Sequence, residues 1–294
     1  MKNIGLIGAG LMGQGIASNL LKKGYSLTVL EHAGNQPLDA LLGLGAKTAA
    51  TPALLAQSAE LIILCVTGSP QVEDVLLSSA GVLAAIQPGT VVIDCSTAVP
   101  TSTERVAKAV TQAGGLFMDA PMTRTAKEAA EGRLNLLVGA DAALLERCMP
   151  VLRCFAENIT HAGPVGSGHR MKLLHNYVSL GTAALIAEAA ACAQVSGVAM
   201  ETFVEVLSKG GGAGVALERM KPYLLSGDAS GLRFTVSNAL KDINYYNTMA
   251  QDAGADSSIA AGVKNTLAAA CTGEDAQAFV PELMRIIAQR TGHA

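Results

Sequence analysis

The sequence predicts an α/β fold, a doubly wound and mainly parallel sheet followed by an all-helical C-terminal domain. Three observations predict it. Short apolar runs alternate with segments of helical spacing from residue 2 to about 152, strand-like runs cease after about Pro164, and the stretch from about Gly168 to Gly197 has no helix breaker except Gly181. The length of 294 residues agrees, since roughly 100–200 residues per domain give about two domains. We draw them at residues 1–163 and 164–294.

Residues 2–8 are an apolar run that ends in a glycine cluster and reads as a buried parallel strand. Apolar positions from Met12 to Lys23 recur at helical spacing until Gly24 supplies a stop, and the strand 26–30 runs into Glu31, which completes one βαβ unit. The alternation continues with a helix started by Pro52, a strand at 61–66, a helix near 70–78, a strand at 90–95 and a helix near 101–113. Strands at 115–119 and 134–138 and a helix from 141 to about 152 close the series. Beyond residue 166 the chain is rich in Ala and Leu at helical spacing, with breaks expected at 210–214, 222, 227–231, 254 and 273. The unbroken stretch before them, roughly 28 residues at 1.5 Å each, predicts a rod of about 40 Å that joins the domains.

Composition limits the function classes. Hydrophobic residues are 50% and charged residues 15% of the chain, and the mean hydropathy is +0.36, so a disordered chain is excluded. The longest apolar candidates, residues 61–66 and the stretch around 183–193, are too short for a membrane span or are broken by Glu188, so the chain is expected to be soluble. With 24 acidic and 21 basic residues the net charge is −3, which offers no footprint for nucleic acid or an anionic membrane. Cys65, Cys95, Cys148, Cys154, Cys192 and Cys271 form no C-x-x-C pair, so a reducing cytoplasm is the expected setting. Lys2 and the apolar run after it do not make a secretory signal, because glycines at positions 5, 8, 10, 13 and 15 interrupt the run. Aromatic residues are only 3% while glycines number 31, so the core must be Ala, Leu, Ile and Val at close backbone approach.

Gly8, Gly10 and Gly13 form G-x-G-x-x-G between the first strand and first helix, the arrangement that gives a tight turn, close approach to a pyrophosphate and close helix–strand packing. Glu31 stands 23 residues after Gly8 and 18 after Gly13, at the end of the second strand. Its carboxylate suits the ribose hydroxyls of NAD and repels the 2′-phosphate of NADP, although a protonated His32 beside it would soften that preference. A solvated charge at a strand end is the plainer reading of Glu31. Leu11 and Met12 at the helix start, and Val66 and Thr67 after the strand 61–66, complete the expected cofactor contacts. In the run Asp94-Cys95-Ser96-Thr97-Ala98-Val99-Pro100 a strand enters a polar turn at the carboxyl edge of the sheet. Ser96 and Thr97 there can reach a ligand, or can equally serve as caps for the helix that follows.

These motifs resemble the β-hydroxyacid dehydrogenases, a family that includes 3-hydroxyisobutyrate dehydrogenase and tartronate semialdehyde reductase. The resemblance covers nearly the whole chain and rests on residues 5–24, 94–100, 119–139, 166–176 (GSGHRMKLLHN) and Lys241-Asp242. It implies a Rossmann-type N-terminal domain, a long interdomain helix and a helical C-terminal domain. It also implies that Lys172 is the catalytic acid–base and Asn176 its companion. As residues i and i+4 of a helix the two share a face, so both can address one carbonyl oxygen. The ammonium would donate a proton on reduction, and the neutral amine would take one on oxidation. By the same resemblance Ser96, Thr97 and Thr123 face substrate or nicotinamide, and Lys241 approaches from the second domain.

One departure shifts the expected substrate. Where the family commonly reads DAPVSGG, this chain reads Asp119-Ala120-Pro121-Met122-Thr123-Arg124-Thr125. A guanidinium fork in a substrate loop suits a second anionic group, and a similar Arg-Thr pair marks the family's sulfolactaldehyde reductase branch. The expected ligand is therefore a small anionic hydroxy acid or semialdehyde, bound by Ser96, Thr97, Thr123, Arg124 and Thr125, unless Arg124 turns outward as a solvated charge. His169 and His175, six residues apart on a helix, project to different sides, so no metal is expected. A homodimer or homotetramer is expected from the Ala-rich faces near 183–193. Two rivals remain: a dinucleotide sensor without turnover, against which the acid–base pair argues, and a reductase of another dicarboxylic or hydroxy semialdehyde.

Overall fold

The computed structural model describes residues 1–290 and divides the chain into two compact units, Met1–Lys172 and Leu173–Ala294. In the first unit the strands are β1 (Asn3–Ile7), β2 (Ser26–Leu30), β3 (Lys47–Ala49), β4 (Leu61–Leu64), β5 (Val91–Asp94), β6 (Leu116–Asp119), β7 (Met122–Thr123), β8 (Leu134–Gly139) and β9 (Ala156–Gly163). Among the described residues they form a nine-stranded sheet in the order β3-β2-β1-β4-β5-β6-β8-β7, with β9 on β8. The first six are parallel; β8 runs antiparallel to β6 and β7 and parallel to β9. Between the strands lie α1 (Leu11–Lys22), α2 (Asp39–Gly43), α3 (Pro52–Ala56), α4 (Ser69–Leu77), α5 (Pro100–Gln112), α6 (Ala126–Ala130) and α7 (Ala142–Leu152).

The strand sequences explain the two layers of helix. In β4, Leu61 and Ile63 enter one apolar cluster with Ile16 and Leu20 of α1, while Ile62 and Leu64 enter another with Val72 of α4 and Val106 of α5. Successive side chains of a strand point to opposite faces, so a continuous apolar run means burial on both. The chain reverses direction beside β1, which has β2 on one edge and β4 on the other. The crevice at the carboxyl ends of β1 and β4 is thus the topological switch point, where ligands of open α/β sheets bind.

Helix α8 (Ser167–Val195) begins in the first unit and carries the chain into the second. There it is followed by α9 (Met200–Lys209), α10 (Val215–Ser226), α11 (Val236–Asp252), α12 (Ser258–Ala270) and α13 (Leu283–Arg290). Ala183, Ala184, Ala187 and Ala190 of α8 pack with Leu217 and Met220 of α10, Ile243 of α11 and Leu267 of α12. The compact division at 172/173 falls inside this helix, nine residues beyond the 163/164 division read from the change in sequence pattern.

Several elements differ from the sequence reading. Pro222 does not end a helix; α10 runs through it, and the carbonyl four residues earlier belongs to exposed Glu218, where solvent can replace the missing N–H. Strand β9 was not predicted because its sequence, AENITHAG, carries no apolar alternation and its residues are largely exposed. Strands β3 and β7, with three and two residues, are too short to give a pattern. Helix α8 does meet the length and composition of a membrane span, with a mean hydropathy of 1.5 over 18 residues. Half of that window is buried inside the protein, which is equally the signature of a core helix.

Candidate cofactor and catalytic site

The glycine turn is built by the chain packing on itself. Gly8 has φ +99°, and a Cβ there would lie 2.3 Å from the Cys65 carbonyl oxygen, while a Cβ on Gly13 would lie 2.0 Å from the Gly8 oxygen. Gly10 differs, because a Cβ there meets nothing within 4 Å among the described residues. It caps α1 without a side-chain hydrogen bond, and the first turn of α1 has no acidic residue. The leading N–H groups and the positive end of the helix dipole therefore face open space that suits a pyrophosphate. Leu11, 69% exposed, and half-buried Met12 flank that space.

A second element closes on this turn. Glu31 and His32, both exposed, line a cavity of about 460 Å³ with Ala33, Asn35, Gln36 and Leu38. Asn35 fastens it: Oδ1 accepts the Ala9 N–H at 3.1 Å and Nδ2 donates to the Leu30 carbonyl at 2.8 Å. The Gln36 N–H donates to the Ala9 carbonyl at 2.9 Å, and Gln14 Nε2 to the Pro37 carbonyl at 3.0 Å. Sequence reasoning passed over Asn35 and Gln36; their signal was an amide pair just after the acidic strand end. His32 Nδ1 accepts the Gly34 N–H at 2.9 Å, a bond that requires Nδ1 to be without its proton.

The turns after β4 and β5 are joined. The Val66 N–H donates to the Ser96 hydroxyl at 3.1 Å, and the Ser96 N–H donates to Asp94 Oδ1 at 2.9 Å. Ser96 is 3% exposed and its hydroxyl faces the Val66 backbone, while Thr97 beside it is half-buried and Thr67 exposed. The start of α8 is seated on the next strand: Asp119 at the end of β6 accepts the Gly166 and His169 N–H groups, each at 2.7 Å. A Cβ on Gly168 would lie 2.3 Å from the Leu137 carbonyl oxygen and 2.7 Å from Asp119 Oδ2, so the GSG of residues 166–168 serves close docking of a helix. Burial pushes the Asp119 carboxyl above its ordinary value, and His169 and the backbone N–H groups pull it back.

Lys172, half-buried, lies on α8 one turn beyond His169 and one turn before Asn176, which is 7% exposed. In the second unit Asn176 Nδ2 donates to Asp242 Oδ2 at 2.6 Å, and Asn176 Oδ1 lies 3.0 Å from His175 Nδ1. Lys241 Nζ is 3.0 Å from Asp242 Oδ1, close enough for an ion pair though not aligned for a hydrogen bond, and 5.3 Å from the Tyr245 ring centroid. The amide of Asn176 is thus oriented by Asp242, and its second Nδ2 hydrogen is left for another acceptor.

The loop after β6 corrects the picture of an open guanidinium. Arg124 is ion-paired with Glu157 and donates to the Arg133 carbonyl. Its backbone has φ +81°, among the described residues the one non-glycine with positive φ, a conformation that favours glycine. The Thr123 hydroxyl accepts from Asn135 Nδ2 at 3.1 Å, and Thr125 is in a capping box with Glu128 at the start of α6. No group of three or more His, Cys, Asp or Glu able to hold a metal occurs among the described residues. His169 is buried and His175 exposed.

Comparison with known proteins gives these parts a family. Residues 3–163 match the model of the NAD binding domain of 6-phosphogluconate dehydrogenase, and residues 166–287 match that of the NAD-binding domain of NADP-dependent 3-hydroxyisobutyrate dehydrogenase. The chain is 36% identical over 223 residues to the NAD-dependent L-serine dehydrogenase of Pseudomonas aeruginosa, covering 76% of this chain and 74% of that one. It is 33% identical over 232 residues to 2-(hydroxymethyl)glutarate dehydrogenase of Eubacterium barkeri, covering 78% and 76%. It is also 32% identical over 227 residues to the cytokine-like nuclear factor N-PAC of Homo sapiens; the match covers 77% of this chain but spans only 41% of that protein. The fold is that of Mycobacterium tuberculosis 3-hydroxyisobutyrate dehydrogenase, solved with L-serine, at a TM-score of 0.86, 24% identity and coverage of 97% and 98%. With both family models matched in order along the chain, the protein belongs to the β-hydroxyacid dehydrogenase family.

Proposed function

We propose that the protein is an NAD(H)-dependent oxidoreductase that interconverts a small β-hydroxy acid, or its sulfonate analogue, with the corresponding semialdehyde. One observation carries this reading: an unbroken chain of contacts runs from the glycine turn to the lysine. Gly8 packs on Cys65, Val66 bonds Ser96, the His169 ring lies on the Ser96 carbonyl at 3.1 Å, and Lys172 follows one turn later on the same helix.

A bound nicotinamide supplies or accepts the hydride. Lys172 donates a proton to the carbonyl oxygen of the semialdehyde on reduction and takes the hydroxyl proton on oxidation. Asn176, its amide turned by Asp242, offers its second N–H to the same oxygen. Thr97 and Thr123 bind the carboxylate end. L-serine and 2-(hydroxymethyl)glutarate, named for two relatives, both place a hydroxyl β to a carboxylate, which supports the substrate class. Arg124 meets a second carboxylate or a sulfonate, as in sulfolactaldehyde, by exchanging Glu157 for it.

NAD is preferred over NADP. Glu31 lines the cavity beside the glycine turn, where its carboxylate would repel a 2′-phosphate, and His32 Nδ1 is engaged by the Gly34 N–H. The test is oxidation of NADH, with NADPH in parallel, across semialdehydes that differ only in their anionic group. Absence of turnover with every member, despite tight NADH binding, would leave the sensor reading in its place.

A further inference from the structure

His169 is wholly buried, belongs to no cluster of three or more potential metal ligands among the described residues, and lies on the helix of Lys172. Its ring joins three elements. Nε2 is 3.1 Å from the Ser96 carbonyl oxygen after β5, and Nδ1 is 2.8 Å from the Thr103 hydroxyl on α5, which also reaches the Val99 carbonyl as a donor at 3.2 Å. The backbone N–H of His169 is bonded to Asp119 on β6. Side chains that touch so many elements are usually apolar; here a buried imidazole serves, and its ring nitrogens have defined roles.

A carbonyl oxygen only accepts, so the ring nitrogen that faces Ser96 must carry a hydrogen, whereas the Thr103 hydroxyl has one hydrogen to give, to the Val99 carbonyl or to Nδ1, and can accept at Nδ1 when it gives it to Val99. The surroundings favour the same arrangement. Asp94 Oδ2 is buried without a hydrogen-bond partner among the described residues and lies 3.9 Å from Nε2, where an N–H dipole relieves it. On the other side Asp119 Oδ2 is 3.7 Å from Nδ1, but that oxygen already accepts the His169 backbone N–H. The half-buried thiol of Cys65 and the buried thiol of Cys95 stand near Asp94, and loss of hydration raises both, so they add no opposing charge.

We infer that His169 is a positioning residue: its Nε2–H, held toward the Ser96 carbonyl, fixes the Ser96-Thr97 turn to the start of α8 and so sets Thr97 and Lys172 in one frame. The catalytic consequence rests on the proposed oxidoreductase reading; the hydrogen-bond assignment does not.

Two variants separate this role from plain packing. Gln can present its amide N–H near the place of Nε2, whereas Asn reaches only the Nδ1 side, toward Thr103. His169→Gln is expected to keep kcat within about threefold. His169→Asn is expected to lower kcat about tenfold or more, since misplacement by about 1 Å can cost 10²-fold, with the NADH dissociation constant within about twofold. Equal effects of the two substitutions on kcat, or a loss of NADH affinity that accounts for the loss of rate, would overturn the inference. Nitrogen-15 NMR of the unmodified protein reads the ring directly, with the signal assigned by its disappearance in His169→Gln or, if that variant does not fold, by elimination with variants of the other four histidines. A proton on Nε2 with slow solvent exchange is expected. A ring protonated on Nδ1 alone would overturn the assignment even if the protein turned over every substrate, and failure of turnover would leave this measurement intact.

Discussion

Arg124 holds Glu157 in an ion pair while its own backbone is in the left-handed region, at φ +81°. The conformation costs a residue with a side chain about 1–2 kcal/mol relative to glycine. Arg124→Ala keeps that strain and loses the contacts to Glu157 and the Arg133 carbonyl, whereas Arg124→Gly loses the contacts and relieves the strain. The glycine variant should melt above the alanine variant. Both should lose any preference for substrates with a second anionic group, and an unchanged preference in the NADH assay would remove the guanidinium from substrate recognition.

Lys172→Met should lower kcat by about 10²–10⁴-fold, the range of a positioned acid–base group. The NADH dissociation constant, followed by cofactor fluorescence, should stay within about twofold. Full turnover in this variant would refute the proposed proton donor.

The glycines at 8 and 10 should respond in opposite ways. At Gly10 a side chain enters open space and φ is −72°, so Gly10→Val should change stability by no more than about 0.5 kcal/mol while weakening NADH about tenfold or more. Gly8→Val puts a Cβ against the Cys65 carbonyl at positive φ and should destabilise the fold by about 1–3 kcal/mol. Unaltered NADH affinity in Gly10→Val would move the pyrophosphate away from this helix terminus.

Glu31→Ala should weaken NADH about tenfold and narrow the gap to NADPH, as expected for loss of a charged hydrogen-bond acceptor. Titration of both cofactors against both proteins measures it. A gap that persists unchanged would assign the preference to another residue.

Thiol labelling should follow thiolate character as well as exposure. Cys192 is exposed, whereas burial and the neighbouring Asp94 carboxylate push the Cys65 thiol up to about 12, and burial pushes Cys148 up to about 11. At pH 7–8 a thiolate-selective reagent should modify Cys192 in the native protein and reach Cys65, Cys95 and Cys148 only after unfolding. Mass spectrometry that finds early modification at Cys65 would contradict the packing around the glycine turn.

The central sheet was legible because its inner strands are buried on both faces: the runs in β1, β4 and β5 are mostly apolar, and their ends agree within about two residues. Strand β9 and the short β3 were not, since exposed edge strands need no apolar face. The glycine turn could be named from motif and spacing, and Lys172 and Asn176 from the family resemblance. What spacing could not supply was partnership between distant residues. His169 invited only a weighing of metal ligation, and Asp94 and Asp119 read as the polar ends of strands, because the bonds of His169 to Asp119 and to Ser96 join residues 50 and 73 apart. Arg124 was legible as a departure, but its ion pair with Glu157 depends on β9, which the sequence concealed.

The seam where Gly168 of α8 meets Gly139 of β8 and the Asp119 carboxylate has room for no added methyl: a Cβ on Gly139 would lie 2.4 Å from Asp119 Oδ1. Mutational drift is therefore constrained unevenly. In a library selected only for folding, residues 122–125 should diversify early, while 119, 139 and 168 should change together or not at all, so that new specificities arise beside an inherited seam that itself cannot vary.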